Sequence, residues 1–349
     1  MVQQTGQSHP KIRSAGRKIR RTVFTIIGLV VLLAVSGWAY QAISETADLR
    51  QYSPLGQLVD IGSYRVHLYC AGEGTPAVVL ESGLAGPALQ WTLVQSELTK
   101  TTRVCSYDRA GLGWSDVGPT PRTGKQMVSE LHAVLTGAGI DGPYVLVGHS
   151  LGGFIVRLYA HQYPNEVAGL VLVAAGHEYD NSRMPPEYRQ IEESNKQTYL
   201  LLPVLTRFGI TRLAGNAGLL SAFTGLLDRF PADVRSQMVA LTFYRPQYWS
   251  TAADEMSALD ETKAQVAATG SLGDLPLVVL SGTPDVSRLP SSFPIQEIKD
   301  TSRALQVELA NLSSNSTHLV CDTCDHYIPM TNPDKVVDAV RQVLAMVPP

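Results

Sequence analysis

The sequence predicts an α/β protein, a mostly parallel sheet with helices on both faces, set behind one membrane-spanning helix. From about residue 57 to the C-terminus, short runs of Val, Ile and Leu alternate with amphipathic helical stretches. Strand–helix alternation builds sheets covered on both sides. The third to sixth runs and the last show little polar alternation, which is the pattern of strands buried on both faces. The membrane helix rests on a separate observation: no charged residue occurs from Thr22 to Ser44.

Composition is consistent with one large globular domain plus a small appendage. Of 349 residues, 44% are hydrophobic and 17% charged, too apolar for a disordered chain. Four cysteines exclude a disulfide-stapled miniprotein, and a net charge of −3 excludes a strongly basic nucleic-acid binder.

Residues 1–21 form a basic leader with Lys11, Arg13, Arg17, Lys18, Arg20, Arg21 and no acid; the rest of the chain holds 22 basic against 31 acidic residues. The uncharged segment 22–44 reaches about 34 Å as a helix, enough to cross a hydrocarbon core of about 30 Å. Trp38 and Tyr40 stand at its far end, where amphipathic rings favour the interface. With cations before the span and Glu45 and Asp48 after it, the N-terminus is expected in the cytoplasm and the remainder outside. A cleavable signal peptide is the rival reading and would give a secreted protein. Residues 45–56 read as a linker.

Eight strands are expected, at 58–61, 64–69, 77–81, 103–107, 144–147, 169–173, 277–280 and 318–321. Only Gly62 and Ser63 separate the first two, so these should form an antiparallel hairpin. Helices are expected at 91–99, 124–138, 152–162, 302–312 and 332–346. Residues 177–270 contain no convincing strand and are too long for a loop, so they read as a helical cap inserted in a core made of 57–176 and 271–349. Leu201, Leu202, Leu219, Leu220, Phe223, Leu226 and Leu227 make that cap apolar. They would either pack it on the sheet or line a hydrophobic pocket.

Chemistry concentrates at Gly148-His149-Ser150-Leu151-Gly152. This G-x-S-x-G follows a buried strand and opens a helix, so its glycines permit a sharp turn that lifts the Ser150 hydroxyl out of the sheet. A serine needs a base. His326 is the best placed, between the last strand and the last helix; other histidines fall inside strands, on helices or in the leader. Asp285, after the seventh strand, gives the chain order Ser, Asp, His. Glu178, Asp180 and Glu255 remain open as the acid. An oxyanion needs two N–H donors; the backbones of Leu151 and Leu84 are the candidates, the latter in the glycine-flanked loop after the third strand.

The segments VVLESGLAG (78–86), YDRAGLGWSD (107–116), GHSLGG (148–153), YAHQYP (159–164) with VAGLVLV (167–173), and HYIPMTNPDKVVDAV (326–340) appear in this order. Over roughly residues 57–345 the chain thereby resembles the α/β-hydrolase-fold serine hydrolases, a group that includes esterases, lipases and perhydrolases. The resemblance implies the eight-stranded sheet of the α/β-hydrolase fold, the triad, and a bracing role for the Asp108-Arg109 loop. It sets aside the dehalogenases and epoxide hydrolases of this fold, which carry aspartate where Ser150 stands. Thr283-Pro284-Asp285 departs from the usual acidic loop. In this fold the second and fourth strands are neighbours, which makes Cys70–Cys105 a plausible bridge, with buried thiols as the alternative. The single Cys321-Asp-Thr-Cys324 is weak as a zinc motif.

The expected activity is that of a membrane-anchored serine hydrolase cleaving a small-molecule acyl ester, a chemistry that needs no metal or organic cofactor. An acyltransferase, or a catalytically silent binding module on the same fold, are the alternatives.

Overall fold

The computed structural model describes residues 12–219, 225–284, 286, 289–290 and 292–347, with side chains from Gly16 onward except that of Glu192. Asp285, Leu220 and Phe223 lie outside the described residues.

Eight strands form one sheet: β1 (Gln57–Asp60), β2 (Arg65–Ala71), β3 (Val78–Glu81), β4 (Val104–Tyr107), β5 (Tyr144–His149), β6 (Val167–Val173), β7 (Leu277–Ser281) and β8 (Ser316–Val320). Their spatial order is β1-β2-β4-β3-β5-β6-β7-β8. The β1–β2 and β2–β4 pairs are antiparallel and the others parallel. Each parallel step needs a crossover, supplied by α2 (Thr92–Leu98), α3 (Gly124–Gly137), α4 (Leu151–Gln162) and, further on, the segments described below.

The unalternating strand sequences are explained by two cores. Val79, Leu146, Leu172 and Val279 point to one face, against α3 and α4. Their neighbours Val78, Val147, Val171 and Val278 point to the other, against α2 and the last helix. Fully burying each such side chain stabilises the fold by about 1.5–3 kcal/mol. The last strand is different from expectation. Among the described residues β8 pairs only with β7 and is half-exposed at the sheet edge; an apolar run does not reveal whether its strand is central or at an edge.

Between β6 and β7 the described residues are helical: α5 (Asp180–Arg183), α6 (Pro186–Arg207), α7 (Ile210–Asn216), α8 (Ala232–Leu241), α9 (Pro246–Ser257) and α10 (Leu259–Ala267). This insert crosses the carboxyl ends of β3 and β4. The Thr251 Oγ1 on α9 donates to the Gly111 carbonyl, and a Cβ on Gly111 would stand 2.1 Å from that oxygen. After β7 come α11 (Ile295–Ala310), α12 (Ile328–Thr331) and α13 (Pro333–Met346).

At the N-terminus, α1 (Ile12–Gln51) is one unbroken helix of 40 residues and a candidate membrane span. The linker expected over 45–56 is therefore helical as far as Gln51. No Gly or Pro interrupts Glu45–Gln51, and two of its acids are held by the insert: Asp48 by Arg212 at 2.6 Å and Glu45 by Arg245 at 3.3 Å.

All four cysteines are in disulfides, Cys70–Cys105 and Cys321–Cys324. The β2–β4 register sets Cys70 directly opposite Cys105.

Candidate active site

Ser150 sits where β5 turns into α4, with φ 52° and ψ −115°, a conformation L-residues rarely adopt. The turn is locked from both sides. The Ser150 N–H donates to the Val173 carbonyl, and its own carbonyl accepts from Gly153 and Gly176. The glycines are sterically required: a Cβ on Gly148 would stand 2.5 Å from the Gly152 carbonyl oxygen, and one on Gly152 2.5 Å from that of Glu81.

His326 reaches this turn from the loop after β8, and its Nε2 is 3.0 Å from Ser150 Oγ. A second histidine fixes that loop. His149 Nε2–H donates to the His326 carbonyl at 2.8 Å, while His149 Nδ1 is buried without a partner among the described residues. Burial, with the nearby His326, pushes the His149 pKa down to about 3, so its ring is neutral. Burial likewise holds the His326 imidazole below its ordinary pKa, keeping it in the form that accepts a proton. The Cys321–Cys324 disulfide closes the turn that leads into His326, and the Cys324 carbonyl accepts from Thr283 on the loop after β7.

The alternative acids are occupied elsewhere. Glu178 accepts from Arg157 Nη1 and Nη2, at 2.7 and 2.9 Å. Asp180 accepts from Lys263 at 2.6 Å. Glu255 is fully buried against Arg109, 2.8 Å from Nε and 2.9 Å from Nη2. Asp285 lies outside the described residues.

The loop carrying Leu84 packs on Ser150: a Cβ on Gly83 would be 3.2 Å from Ser150 Cβ. Leu151 is the first residue of α4, where an N–H has no intrahelical acceptor. The loop is held by a buried ionic cluster that sequence reasoning only half located. Arg109 donates to Glu81 Oε1 at 2.6 Å and to the Ser82 and Gly83 carbonyls at 2.8 and 2.6 Å. Glu255, from α9 in the insert, accepts Arg109 and also the Ala85 N–H at 2.8 Å. Tyr107 donates to the other Glu81 oxygen. The Tyr-Asp-Arg segment is visible in the sequence. Its partner Glu255 lies 146 residues away and carries no local signal. His149 was equally silent, since adjacency to Ser150 does not show where its ring turns. Among the described residues no group of three or more His, Cys, Asp or Glu side chains could hold a metal ion.

Comparison with known proteins agrees with this architecture. A protein from Gibberella zeae described as an AB hydrolase superfamily protein is 26% identical over 302 residues, covering 78% of this chain and 87% of its own. A Hormonema carpetanum protein described as a probable transporter, efuK, is 37% identical over 136 residues, and the chain spans only 20% of its length. Among solved structures, a thermophilic esterase from Thermogutta terrifontis superposes with a TM-score of 0.57 at 20% identity, covering 83% of this chain and 97% of the esterase. The epoxide hydrolase CorEH gives 0.62 at 19% identity, with coverages of 83% and 97%. These two likenesses concern the fold alone. The family model for the alpha/beta hydrolase fold matches residues 76–333, and the chain belongs to that family.

Proposed function

We propose that this chain is a serine hydrolase that cleaves a carboxylic ester through an acyl-enzyme, anchored in a membrane by α1. The observation that carries the reading is the 3.0 Å contact between His326 Nε2 and Ser150 Oγ on a backbone turn built to present that hydroxyl. In the proposed reaction the Ser150 hydroxyl gives its proton to His326 Nε2 while Oγ attacks the acyl carbon. His326 returns the proton to the departing alcohol, then takes one from the water that attacks the acyl-enzyme and passes it to Ser150 Oγ as the acid leaves. The N–H groups of Leu151 and Leu84 would receive the oxyanion. Asp285 would hold the imidazole tautomer, a role favoured by the engagement of Glu178, Asp180 and Glu255 with their own cations. The helical insert over the carboxyl edge would act as a cap that shapes the acyl pocket.

The test is fluorophosphonate labelling of the full chain in detergent, with hydrolysis of an ester panel of graded acyl length. Labelling and turnover that vanish together in Ser150→Ala support the reading. A folded wild-type chain that takes no label and hydrolyses no ester would refute it.

A further inference from the structure

The insert turns an apolar face outward. On α6, Leu200, Leu201 and Val204 are exposed at spacings that place them on one side of the helix, and Ile210, Leu213 and Leu219 continue the surface; exposures run from 46% at Ile210 to 73% at Leu219. A helix on a protein surroundedby water normally shows the reverse pattern. Beside this face Arg207 is exposed, while Lys196 is paired with Glu193 and Asp260 and Arg212 is buried against Asp48. Between Glu193 and Asp228 there is no acid, and the cations are Lys196, Arg207 and Arg212.

What lies beside this face is α1. The α6–α7 corner meets α1 at Gly37, where a Cβ would stand 2.5 Å from the Phe208 carbonyl oxygen, and at Tyr40, which packs on Gly209. Both positions are inside the uncharged run 22–44. A hydrocarbon core of about 30 Å takes about 20 helical residues, from Thr22 to about Gln41. Gly37 is four residues short of that boundary, about 6 Å inside it, and about 10 Å short of Ser44. The corner of the insert is therefore level with membrane-spanning residues. The helix α7 stays at that level, since Asn216 at its far end donates to the Tyr40 hydroxyl. Arg212 reaches the other way along α1, to Gln41 and Asp48. Ile210 leaves α7 about 200° around from Arg212, on the other side of the helix.

We propose that this face of α6 and α7 is immersed in the interfacial layer of the bilayer that α1 crosses, making the insert a second, monotopic membrane contact. The proposal rests on the reading of α1 as a membrane span. A depth of about 6–10 Å is that of helices lying in the headgroup–acyl boundary. The acid-free stretch between Glu193 and Asp228 brings no carboxylate to be repelled by an anionic lipid surface, and exposed Arg207 is long enough to keep its head at the phosphate level.

The experiment uses the full chain in vesicles of phosphatidylcholine with phosphatidylglycerol. A photoreactive p-benzoylphenylalanine is placed singly at Leu201, Leu213, Val30 in the exposed part of α1, and exposed Val320 on β8. After irradiation, lipid adducts are measured by mass. We expect adducts at Leu201 and Leu213 within about threefold of those at Val30 and at least about tenfold above Val320, as for a face buried in the interface. Adducts at Val30 but none at Leu201 and Leu213 overturn the proposal and leave the anchor standing. Cross-links from Leu201 or Leu213 to a second copy of the chain, in place of lipid, also overturn it. Absence of adducts at Val30 overturns the anchor and this proposal with it.

Discussion

Replacing Glu255 with alanine tests how the insert supports the site. The carboxylate accepts three hydrogen bonds, from Arg109 Nε, Arg109 Nη2 and Ala85 N. Its loss does not isolate a buried cation, because Arg109 retains Glu81 at 2.6 Å. Nη2 also retains the Gly83 carbonyl at 2.6 Å. Two buried donors are left without acceptors, Arg109 Nε and the Ala85 N–H. Each costs about 1–3 kcal/mol, giving about 2–6 kcal/mol in all. One effect works against this. Burial first, and the Glu255 charge in addition, raise the Glu81 pKa, so removing Glu255 makes Glu81 easier to ionise. The expected loss is therefore in the lower half, about 2–4 kcal/mol, against a total of about 5–15 kcal/mol. Glu255→Gln should fall between, since its amide keeps one acceptor but sets a donor against a guanidinium donor. Urea unfolding of the full chain in micelles, followed by circular dichroism, measures the stability. Turnover of folded protein gives the second readout: if the loop drifts and Leu84 no longer meets the oxyanion, kcat falls by up to about 10²–10³ with KM nearly unchanged. A change below about 1 kcal/mol with turnover within about twofold would refute the bracing argument.

Four further outcomes are expected. Asp285→Asn should lower kcat by about 10⁴ if that residue fixes the His326 tautomer, and near-normal ester turnover would take the role from it. Because the His326 pKa is lowered, the base stays neutral further into acid, so the acid limb of the kcat/KM profile should lie below about pH 6.5; a limb above that value contradicts the burial argument. His149 binds a proton in the unfolded chain from about pH 6.5 downward but in the folded chain only near 3, so stability should fall on acidification by up to about 1.4 kcal/mol per pH unit, as unfolding at stepped pH would show. His149→Asn should flatten that slope. Replacing Cys70 and Cys105 together by serine reopens a loop of 35 residues and should cost about 3–4 kcal/mol by loop entropy, read as a lower unfolding midpoint; an unchanged midpoint would exclude a stabilising bridge.

Much of the architecture was legible because local rules force it. All eight strands lie within a few residues of the expected positions, since their β-branched runs are too short for helices and are bounded by turn residues. The elbow was legible because Gly148 and Gly152 are where a side chain cannot fit. The errors share a cause. The 45–56 linker became helix because its acids find Arg212 and Arg245 on α7 and just before α9, more than 160 residues away. The edge position of β8 depends on which strand it pairs with, and a strand sequence does not encode its own neighbours.

By itself, then, the sequence determined the periodicities, the uncharged 22–44 run, the Ser150 turn and a histidine at the right point of the chain. These are properties of adjacent residues, where sterics and hydrophobic spacing act within a few bonds. Only the tertiary structure decided that His326 Nε2 comes to 3.0 Å from Ser150, that Glu255 is a brace on Arg109, and that the insert grips α1 at Gly37. Each of those is a contact between segments far apart in the chain, and what selects it is the burial of whole faces, with every buried charge and donor then finding its partner across the fold.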